Sequence, residues 1–295
     1  MKTNTIRNCI ILNNLAYRFF PIPIRSIIRK NLNLTNYLKV SYTNLRYIKS
    51  LKIQRINGKF IWCFDDWSYG YFHWVFDVLP KIVTISEKYN VKRILIPETV
   101  SKNGFVRSIL NDLDIEFTTL CSGTIYKADS IITCESFPYY NKISLIKIRD
   151  LFYKKYDISS LKTGYRRIYI SRAKAARRRI VNENEIVPII LKYGFEIVYL
   201  EEMSFREQVK LFSQSLAIVG LHGAGLSNIL FSPSSAKVCE IRSRGFENDV
   251  FEKLSLTLDM EFKTLEIDSD SSVMLTNDYI IDITSFDKLM SDMSK

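Results

Sequence analysis

Short apolar runs alternate with amphipathic stretches throughout the second half of the chain. The run 216–219 is continuous, as expected for a strand of a parallel sheet that is covered on both faces. The predicted strands are 167–171, 195–200, 216–220, 237–241 and 261–267, and the predicted helices are 182–194, 204–214, 248–258 and 285–293. Asn182 with Glu185 and Ser204 with Glu207 predict capping boxes at two helix starts. This alternation predicts a doubly wound α/β domain over residues 165–267.

The pattern before residue 160 predicts another α/β domain, over residues 51–160. Asn57-Gly58, between two β-rich runs, predicts a two-residue hairpin turn. The other predicted elements are a helix from 71 that Pro80 kinks or interrupts and that resumes over 81–89, strands 93–96, 116–120 and 130–133, and helices 104–113 and 144–156. The polar stretch 159–164 is typical of a linker, and the acidic, serine-rich residues 268–295 are predicted to form a C-terminal tail.

Positive charge is concentrated at the N-terminus. Residues 1–64 contain 12 Lys and Arg and no Asp or Glu, which leaves 30 basic and 31 acidic residues in the remainder. Within the basic segment 1–50, Ile24, Ile27 and Ile28 share one helical face and predict an amphipathic helix. Contact with an anionic membrane surface and packing against the rest of the protein both account for such a helix.

The remaining composition indicates a folded protein without a membrane span. Hydrophobic residues make up 47% of the 295 residues and aromatic residues 13%, which is enough for large cores. No apolar run is long enough to cross a bilayer. The five cysteines follow no metal-binding spacing, which predicts reduced thiols and a cytoplasmic location. Peripheral contact with the inner face of the cell membrane is compatible with the basic segment.

The stretch 218–230 combines a buried strand, a glycine turn and the start of a helix. The turn residues are His222, Gly223, Ala224 and Gly225. Glycines let the backbone approach a ligand closely, and the N–H groups at a helix start attract anions. The turn therefore predicts a diphosphate-binding site. Taken alone it is a weak signal, because it matches neither the dinucleotide fingerprint nor the lysine-containing phosphate loop.

A basic loop follows the predicted strand 167–171. Open α/β sheets bind ligands at the carboxyl ends of their strands, where this loop begins. The loop contains Arg172, Lys174, Arg177, Arg178 and Arg179, of which the first three are the main candidates, and guanidinium groups match phosphate oxygens. The loop predicts a diphosphate clamp, although a solvated basic helix start has the same pattern. Nucleic acid is disfavoured as a ligand because aromatic residues are not interleaved with the arginines.

The chain has only two histidines, His73 and His222. His73 and Asp77 are separated by one helical turn, so their side chains lie on one face. A histidine held by a carboxylate is a suitable general base near neutral pH. A structural histidine satisfied by the same carboxylate is the alternative, and the choice between His73 and Asp77 as the base stays open. Paired acidic residues elsewhere give no convincing metal site.

Several segments together resemble glycosyltransferase family 61, whose bacterial members are often described as capsular polysaccharide biosynthesis proteins. Residues 71–80, YFHWVFDVLP, are similar to that family's YFHW-x-FD-x-LP motif. The other similar segments are RIYISR at 167–172 with the arginines at 177–179, FEIVYL at 195–200, VGLHGAGLSN at 219–228 and KVCEI at 237–241. The resemblance covers roughly residues 53–267 and leaves the basic segment and the tail outside.

The resemblance implies an inverting glycosyltransferase that uses a nucleotide sugar and has a GT-B-like fold, in which two Rossmann-like domains face each other across a cleft. The donor is then expected on residues 165–267 and the acceptor on residues 51–160. Because the N-terminus is basic, we expect the acceptor to be a glycan on a lipid carrier, as in capsule, lipopolysaccharide or other surface polysaccharide synthesis. Glu240, just after an apolar run, is the candidate for binding the ribose hydroxyls.

Fixed hydrogen-bond donors on a diphosphate can replace a divalent cation, so we predict a metal-independent reaction without a further cofactor. The competing hypothesis is a non-catalytic module that binds a nucleotide or polyanion within a polysaccharide assembly complex. A nucleic-acid-binding protein is the third. The simultaneous presence of His73, Asp77, Arg172 and His222 favours the enzyme.

Overall fold

The computed structural model describes residues 3–12, 15–19, 22–23, 52–65, 67–134, 140–175, 178–268 and 278–295. The chain divides into two compact units, Met1–Tyr139 and Tyr140–Lys295. Each unit has a sheet that is wholly or partly parallel, which confirms the predicted α/β class. The predicted GT-B-like arrangement of facing domains stays a prediction. The amphipathic helix predicted around Ile24, Ile27 and Ile28 lies outside the described residues.

The first unit is built on a seven-stranded sheet. Its strands are β1 (Thr3–Leu12), β2 (Leu15–Phe19), β3 (Ile22–Pro23), β4 (Lys52–Ile61), β5 (Arg93–Pro97), β6 (Glu116–Leu120) and β7 (Thr124–Cys134). In space they are ordered β3-β2-β1-β7-β4-β5-β6; β4 to β7 run parallel, and β1 pairs antiparallel with β7. The parallel part has the order of a Rossmann half, with the reversal between β4 and β7. Since β1 belongs to this sheet, the basic segment 1–50 is not wholly separate from the first unit.

The hairpin predicted at Asn57-Gly58 is wrong. The strand β4 continues through these residues, and the two of them oppose the single residue Asp129 of β7, which is a β-bulge. Gly58 has a φ of 107°, which favours glycine, and its N–H donates to the Asp129 carboxylate at 2.9 Å. The dipeptide forms a bulge rather than a turn because β7 pairs with β4 on both sides of it.

The helices predicted from residue 71 and over 104–113 are confirmed, and a short helix at Glu98–Ser101 was not predicted. The helices of the first unit are α1 (Tyr71–His73), a π-helix (Trp74–Val78), α2 (Leu79–Tyr89), α3 (Glu98–Ser101) and α4 (Gly104–Asp112). The first three follow one another without a break, and Pro80 lies in the first turn of α2. Proline has no N–H to donate to the carbonyl four residues earlier, which accounts for the wider π turn. His73 and Asp77 therefore lie at an irregular turn, in the segment that follows β4.

The second unit is built on five parallel strands. They are β8 (Arg166–Ile170), β9 (Glu196–Val198), β10 (Ser215–Leu221), β11 (Lys237–Ser243) and β12 (Glu261–Ile267). The helices are α5 (Lys142–Tyr156), α6 (Glu183–Lys192), α7 (Phe205–Ser213), α8 (Val250–Thr257) and α9 (Ile283–Met293), with 3₁₀ helices at Leu200–Glu202 and Ala224–Phe231. The spatial order β9-β8-β10-β11-β12 is that of a doubly wound sheet whose order reverses between β8 and β10.

The predicted linker at 159–164 lies inside the second unit. The helix α5 precedes it but packs on the 3₁₀ helix Ala224–Phe231, where the Tyr153 hydroxyl donates to the Phe231 carbonyl at 2.6 Å. The rings of Phe152 and Phe231 are also in edge contact. The boundary between the units therefore falls at Tyr139–Tyr140, because apolar packing retains α5 despite the polar stretch after it.

The C-terminal helix is a structural part of the second unit rather than a tail. The predicted helix is confirmed as α9, and its residues Phe286, Met290 and Met293 are buried in the core that also contains α6 and one face of the sheet. Burial of such side chains stabilises the fold by roughly 25 cal/mol for each Å² of apolar surface removed from water. No helix among the described residues is long and apolar enough to span a membrane.

One of the two predicted capping boxes is confirmed. The Ser204 hydroxyl accepts from the Glu207 N–H, and the Glu207 carboxylate accepts from the Ser204 N–H. The box predicted at Asn182 is wrong, because its side chain makes two hydrogen bonds with the backbone of Ile281 instead. A distant segment thus competes for the amide that local sequence assigns to a helix start.

Candidate active site

The carboxyl edge of the second sheet brings the basic loop and the glycine turn together. The neighbouring strands β8 and β10 pair in parallel up to Ile170 and Gly220. Arg172 follows the end of β8, and His222 follows the end of β10 directly. This edge is where strand order reverses, which is where doubly wound sheets bind their ligands.

Two arginines converge on the glycine turn. A Cβ on Gly223 would lie 2.9 Å from Nη1 of Arg172, so the absence of a side chain permits this close approach. Nε of Arg172 donates to the carbonyl of Arg178 at 2.9 Å, and Nη1 of Arg178 donates to the carbonyl of His222 at 3.2 Å. Arg178 has a φ of 58°, a left-handed conformation that is costly for a residue with a side chain. Two guanidinium groups therefore lie next to the turn.

The other two basic residues predicted for the clamp are placed differently. The ammonium of Lys174 forms an ion pair with Glu202 and lies 4.4 Å from the centre of the Tyr199 ring. A contact between Lys174 and a diphosphate would require this ion pair to open. Arg177 lies outside the described residues. Arg178, which was not among the main candidates, is the arginine that contacts the turn.

His222 contacts Glu240 through its Nδ1 atom. The N–H of His222 donates to the carbonyl of Ile241 at 2.8 Å, which continues the pairing of β10 with β11 by one residue. Because side chains alternate along strands, this register places His222 and Glu240 on the same side of the sheet. Glu240 has no accessible surface, so a ribose cannot reach it without rearrangement. Its predicted contact with ribose stays a prediction.

A small surface pocket adjoins His222. Its walls are formed by Arg178, Leu221, His222, Ile241, Arg242, Ser243, Phe246 and Tyr279. The rings of Phe246 and Phe251 contact the imidazole edge to face, with centroids 4.6 and 5.2 Å away. These contacts restrict the orientation of the imidazole.

The glycine turn is supported by two side-chain amides, those of the buried Asn228 and the partly buried Gln208, to which sequence reasoning did not assign a role. The side-chain amide of Asn228 donates to the carbonyl of Gly225 at 3.2 Å and to Oε1 of Gln208 at 2.8 Å. Gln208 in turn donates to the carbonyls of Leu200 and Met203. The helix that follows the turn is confirmed, in 3₁₀ form, with Gly223 at its N-cap and Ala224 as its first residue. The sequence contains one indication of this support, which is the polar Asn228 within a largely apolar helix.

In the first unit, His73 and Asp77 form the predicted pair. Nδ1 of His73 lies 2.8 Å from Oδ2 of Asp77, and their side chains are 24% and 9% exposed. The rings of Trp67 and Phe72 lie 5.7 and 5.3 Å from the imidazole. An imidazole that is held through Nδ1 and remains accessible can exchange a proton through Nε2.

All five cysteines are free thiols. Burial raises the pKa of the Cys63 and Cys239 thiols to about 12. Cys121 is exposed. Within the described parts of the chain, no three His, Cys, Asp or Glu side chains are grouped closely enough to hold a metal ion.

The chain is similar in part to several known glycosyltransferases. The EGF domain-specific O-linked N-acetylglucosamine transferase of Bos taurus is 32% identical over 91 residues, which are 29% of this chain and 17% of that protein. The protein of the same name from Gallus gallus is 33% identical over 85 residues, or 27% and 16% of the two chains. That of Drosophila melanogaster is 32% identical over 76 residues, or 25% and 14%. The matched stretch spans about a sixth of the length of these relatives.

The sequence profile of the family Glycosyltransferase 61 matches residues 71–239. This range begins with the helix that carries His73 and Asp77 and ends beside Glu240, so it includes both the basic loop and the glycine turn. Since the match covers more than half of the chain, the protein belongs to glycosyltransferase family 61.

Proposed function

We propose that this chain is an inverting glycosyltransferase that transfers a sugar from a nucleotide-sugar donor to a glycan acceptor. Glycosyl transfer follows from the family; the donor, the acceptor, the stereochemistry and the GT-B-like arrangement belong to the proposal. The observation that carries it is the convergence of Arg172 and Arg178 on the turn at His222 and Gly223. This is the chemistry that a leaving diphosphate requires, at the edge of the sheet where ligands bind.

The donor diphosphate is assigned to the second unit. The guanidinium of Arg172 lies against Gly223 and would form charge-assisted hydrogen bonds with the phosphate oxygens. The backbone N–H groups of Ala224 and Gly225, at the start of the 3₁₀ helix, supply further donors. His222 would donate a proton or a hydrogen bond to the oxygen that leaves the sugar. Lys174 and Arg177 are candidates for additional contacts.

The acceptor is assigned to the first unit. His73, held by Asp77, would accept the proton of the acceptor hydroxyl at Nε2 as the hydroxyl oxygen bonds to the anomeric carbon. The bond from that carbon to the diphosphate breaks at the same time, and its electron pair leaves with the diphosphate oxygen. A single displacement of this kind inverts the configuration of the anomeric carbon.

We also propose that the reaction needs no metal ion. The reason is the presence of two arginines beside the turn. Two guanidinium groups near the turn can stabilise the charge that a divalent cation otherwise neutralises. Turnover is therefore expected to continue in EDTA. Loss of activity in EDTA that Mg²⁺ or Mn²⁺ restores would contradict this part of the proposal.

The proposed setting is bacterial surface polysaccharide synthesis on a lipid-linked acceptor, at the inner face of the cell membrane. The acid-free N-terminus is the reason, since clusters of Lys and Arg bind anionic lipids. Deleting residues 1–50 would remove β1 from the first sheet, so substitution is the better test. Arg25→Gln, Arg29→Gln and Lys30→Gln together should reduce flotation with anionic vesicles; equal flotation of this triple variant and the wild type would contradict membrane binding through these residues.

A panel of nucleotide sugars tests the function as a whole. UDP-N-acetylglucosamine should be included because the named relatives transfer N-acetylglucosamine. We expect one donor to raise the melting temperature and to release a free nucleoside diphosphate when a glycan acceptor is added. Binding without turnover for every acceptor would favour the non-catalytic module. Absence of binding to all donors would contradict the proposal.

A further inference from the structure

We propose that Glu240 is a positioning residue, which holds His222 through Nδ1 so that Nε2, carrying a proton, is presented to the leaving diphosphate. The identity of this ligand rests on the proposed function, whereas the orientation of the ring does not. Glu240 touches neither ligand nor reacting atoms in this proposal and acts only through His222.

The pairing register of β10 and β11 brings His222 and Glu240 together. Gly220 pairs with Glu240 and Leu221 pairs with Ile241, so the residue after Leu221 lies diagonally across from Glu240. The two side chains therefore meet at the carboxyl edge, although they are far apart in sequence. A ligand at this edge would contact His222 before it could contact Glu240, which has no exposed surface.

The burial of Glu240 favours a positively charged partner. A buried carboxylate is costly unless it is paired and hydrogen-bonded. Its Oε1 atom contacts His222, whereas Oε2 makes no hydrogen bond with the part of the chain that the structure describes. Arg242 lies 3.8 Å from Oε2, beyond hydrogen-bonding distance, and is equally far from the carboxylate of Glu266. The direct contact of Glu240 is thus with His222, which can donate to it from Nδ1 and compensates its charge when Nε2 is protonated as well.

The other groups around His222 do not replace Glu240. Arg178 approaches from the loop after β8 and donates to the His222 carbonyl, so its charge opposes that of an imidazolium. The groups from the segment after β11 and from α8 are the uncharged rings of Phe246 and Phe251. Glu240 is therefore the carboxylate that determines which ring nitrogen of His222 is protonated. It also determines whether both nitrogens are protonated at once.

Nitrogen NMR on the full chain tests the orientation directly. With ¹⁵N-labelled histidine the spectrum contains two imidazoles, His73 and His222, and a His73→Gln variant assigns them. Long-range ¹H–¹⁵N correlations report which ring nitrogen is protonated. We expect the wild-type His222 to be protonated at Nδ1, and at both nitrogens once UDP is added. A wild-type His222 that is protonated only at Nε2 would overturn the proposal without any variant.

Glu240→Gln preserves the size of the side chain but removes its charge. We expect it to abolish the doubly protonated His222 with UDP bound and to weaken UDP binding about tenfold, the lower end of the loss seen when the carboxylate that supports a metal-binding histidine is removed. Glu240→Asp, which keeps a charge, should restore part of the affinity and the doubly protonated state. Glu266→Gln, which changes an exposed carboxylate of the same network, should leave the spectrum and the affinity as in the wild type.

The possible results separate this proposal from the function. If Glu240→Gln leaves both the spectrum and UDP affinity unchanged, Glu240 does not position His222. If the wild type does not bind UDP, uridine nucleotides are excluded as donors, while the protonation of the unliganded wild type still decides the orientation. If Glu240→Gln fails to fold, the wild-type spectrum and Glu240→Asp still test whether Glu240 positions His222.

Discussion

The two units each carry a histidine held through Nδ1 by a carboxylate, but the two pairs are built in different ways. His73 and Asp77 lie one turn apart on a single helical segment, and both side chains retain some exposure. His222 and Glu240 come from the ends of neighbouring parallel strands, and Glu240 is completely buried. The first pair is open enough to pass a proton to solvent or substrate, whereas the second has a fixed, inaccessible carboxylate.

The difference suggests two chemical tasks. A general base has to gain a proton and release it in each turnover, which an accessible pair permits. A group that stabilises a leaving anion must instead keep its orientation and charge, which a buried carboxylate supports. This difference is consistent with the proposal, in which the first pair accepts the proton of the acceptor and the second stabilises the diphosphate.

The largest effect is expected from His73→Ala. Loss of the general base should lower turnover about 100-fold or more. UDP affinity, measured by calorimetry, should not change, because the donor is assigned to the second unit. Lys102→Ala, which removes an exposed lysine of the same unit, is the matched control and should have full activity. If the His73 variant retains nearly the wild-type turnover, His73 is not the general base, and Asp77 becomes the candidate for that role.

Labelling of two buried thiols, one beside each histidine–carboxylate pair, measures the local opening of each unit separately. The Cys63 thiol contacts the carbonyl of Val78, next to Asp77, and Cys239 precedes Glu240. Burial raises the pKa of both thiols to about 12, and the thiolate is the reactive form, so labelling at pH 8 requires local opening and accelerates as pH rises. UDP at about 100 times its Kd should slow labelling of Cys239 by up to about 100-fold and leave Cys63 unaffected.

Iodoacetamide labelling followed by mass spectrometry measures both rates in one sample. The exposed Cys121 is the internal control and should react equally fast with and without UDP. Equal slowing of Cys63 and Cys239 would show that the two units open together. An unchanged rate at Cys239 would indicate that UDP does not stabilise the second unit.

A smaller loss is expected from Asp77→Asn. The amide keeps the size of the side chain but loses the charge that favours a protonated His73, so turnover should fall about tenfold. Glu98→Gln alters another carboxylate paired one helical turn away in the same unit, at 3.0 Å from Lys102, and should have no effect. If both substitutions reduce turnover alike, the loss reflects stability rather than proton transfer.

The smallest effect is expected from Gly223→Ala. The φ of Gly223 is 171°, an extended conformation that alanine also adopts, so the backbone is not strained. The new methyl group would instead displace the guanidinium of Arg172 by a few tenths of an ångström and weaken UDP binding about threefold, well under the 1.4 kcal/mol that corresponds to tenfold. Gly104→Ala, where a Cβ meets no atom within 4 Å, is the control. Unchanged UDP affinity in both variants would remove Arg172 from the phosphate site.

The sequence predicts the elements of the second unit well because short strands rich in apolar residues alternate regularly with amphipathic helices that begin at polar residues. The strand Glu261–Ile267 agrees at both ends, and the His73–Asp77 contact follows from helical spacing alone. Both are local features, so they require no knowledge of distant neighbours.

The errors arise where a distant partner decides between local alternatives. Asn57-Gly58 suits a hairpin or a bulge, and pairing with β7 selects the bulge. Asn182 suits a helix cap, and the backbone of Ile281 takes its amide instead. The contact of Glu240 with His222 depends on the register of two strands, which composition and spacing do not determine. For this reason Glu240 was predicted to bind ribose rather than to hold His222.

The pairing of β1 with β7 has a consequence for synthesis of the protein. Thr3 pairs with Cys134, so β1 can complete its pairing with β7 only after β7, the last strand of the unit, has emerged from the ribosome. Such non-local pairing slows folding, because the intervening chain must be ordered before the contact forms. During translation the edge of β1 that pairs with β7 is therefore available to chaperones.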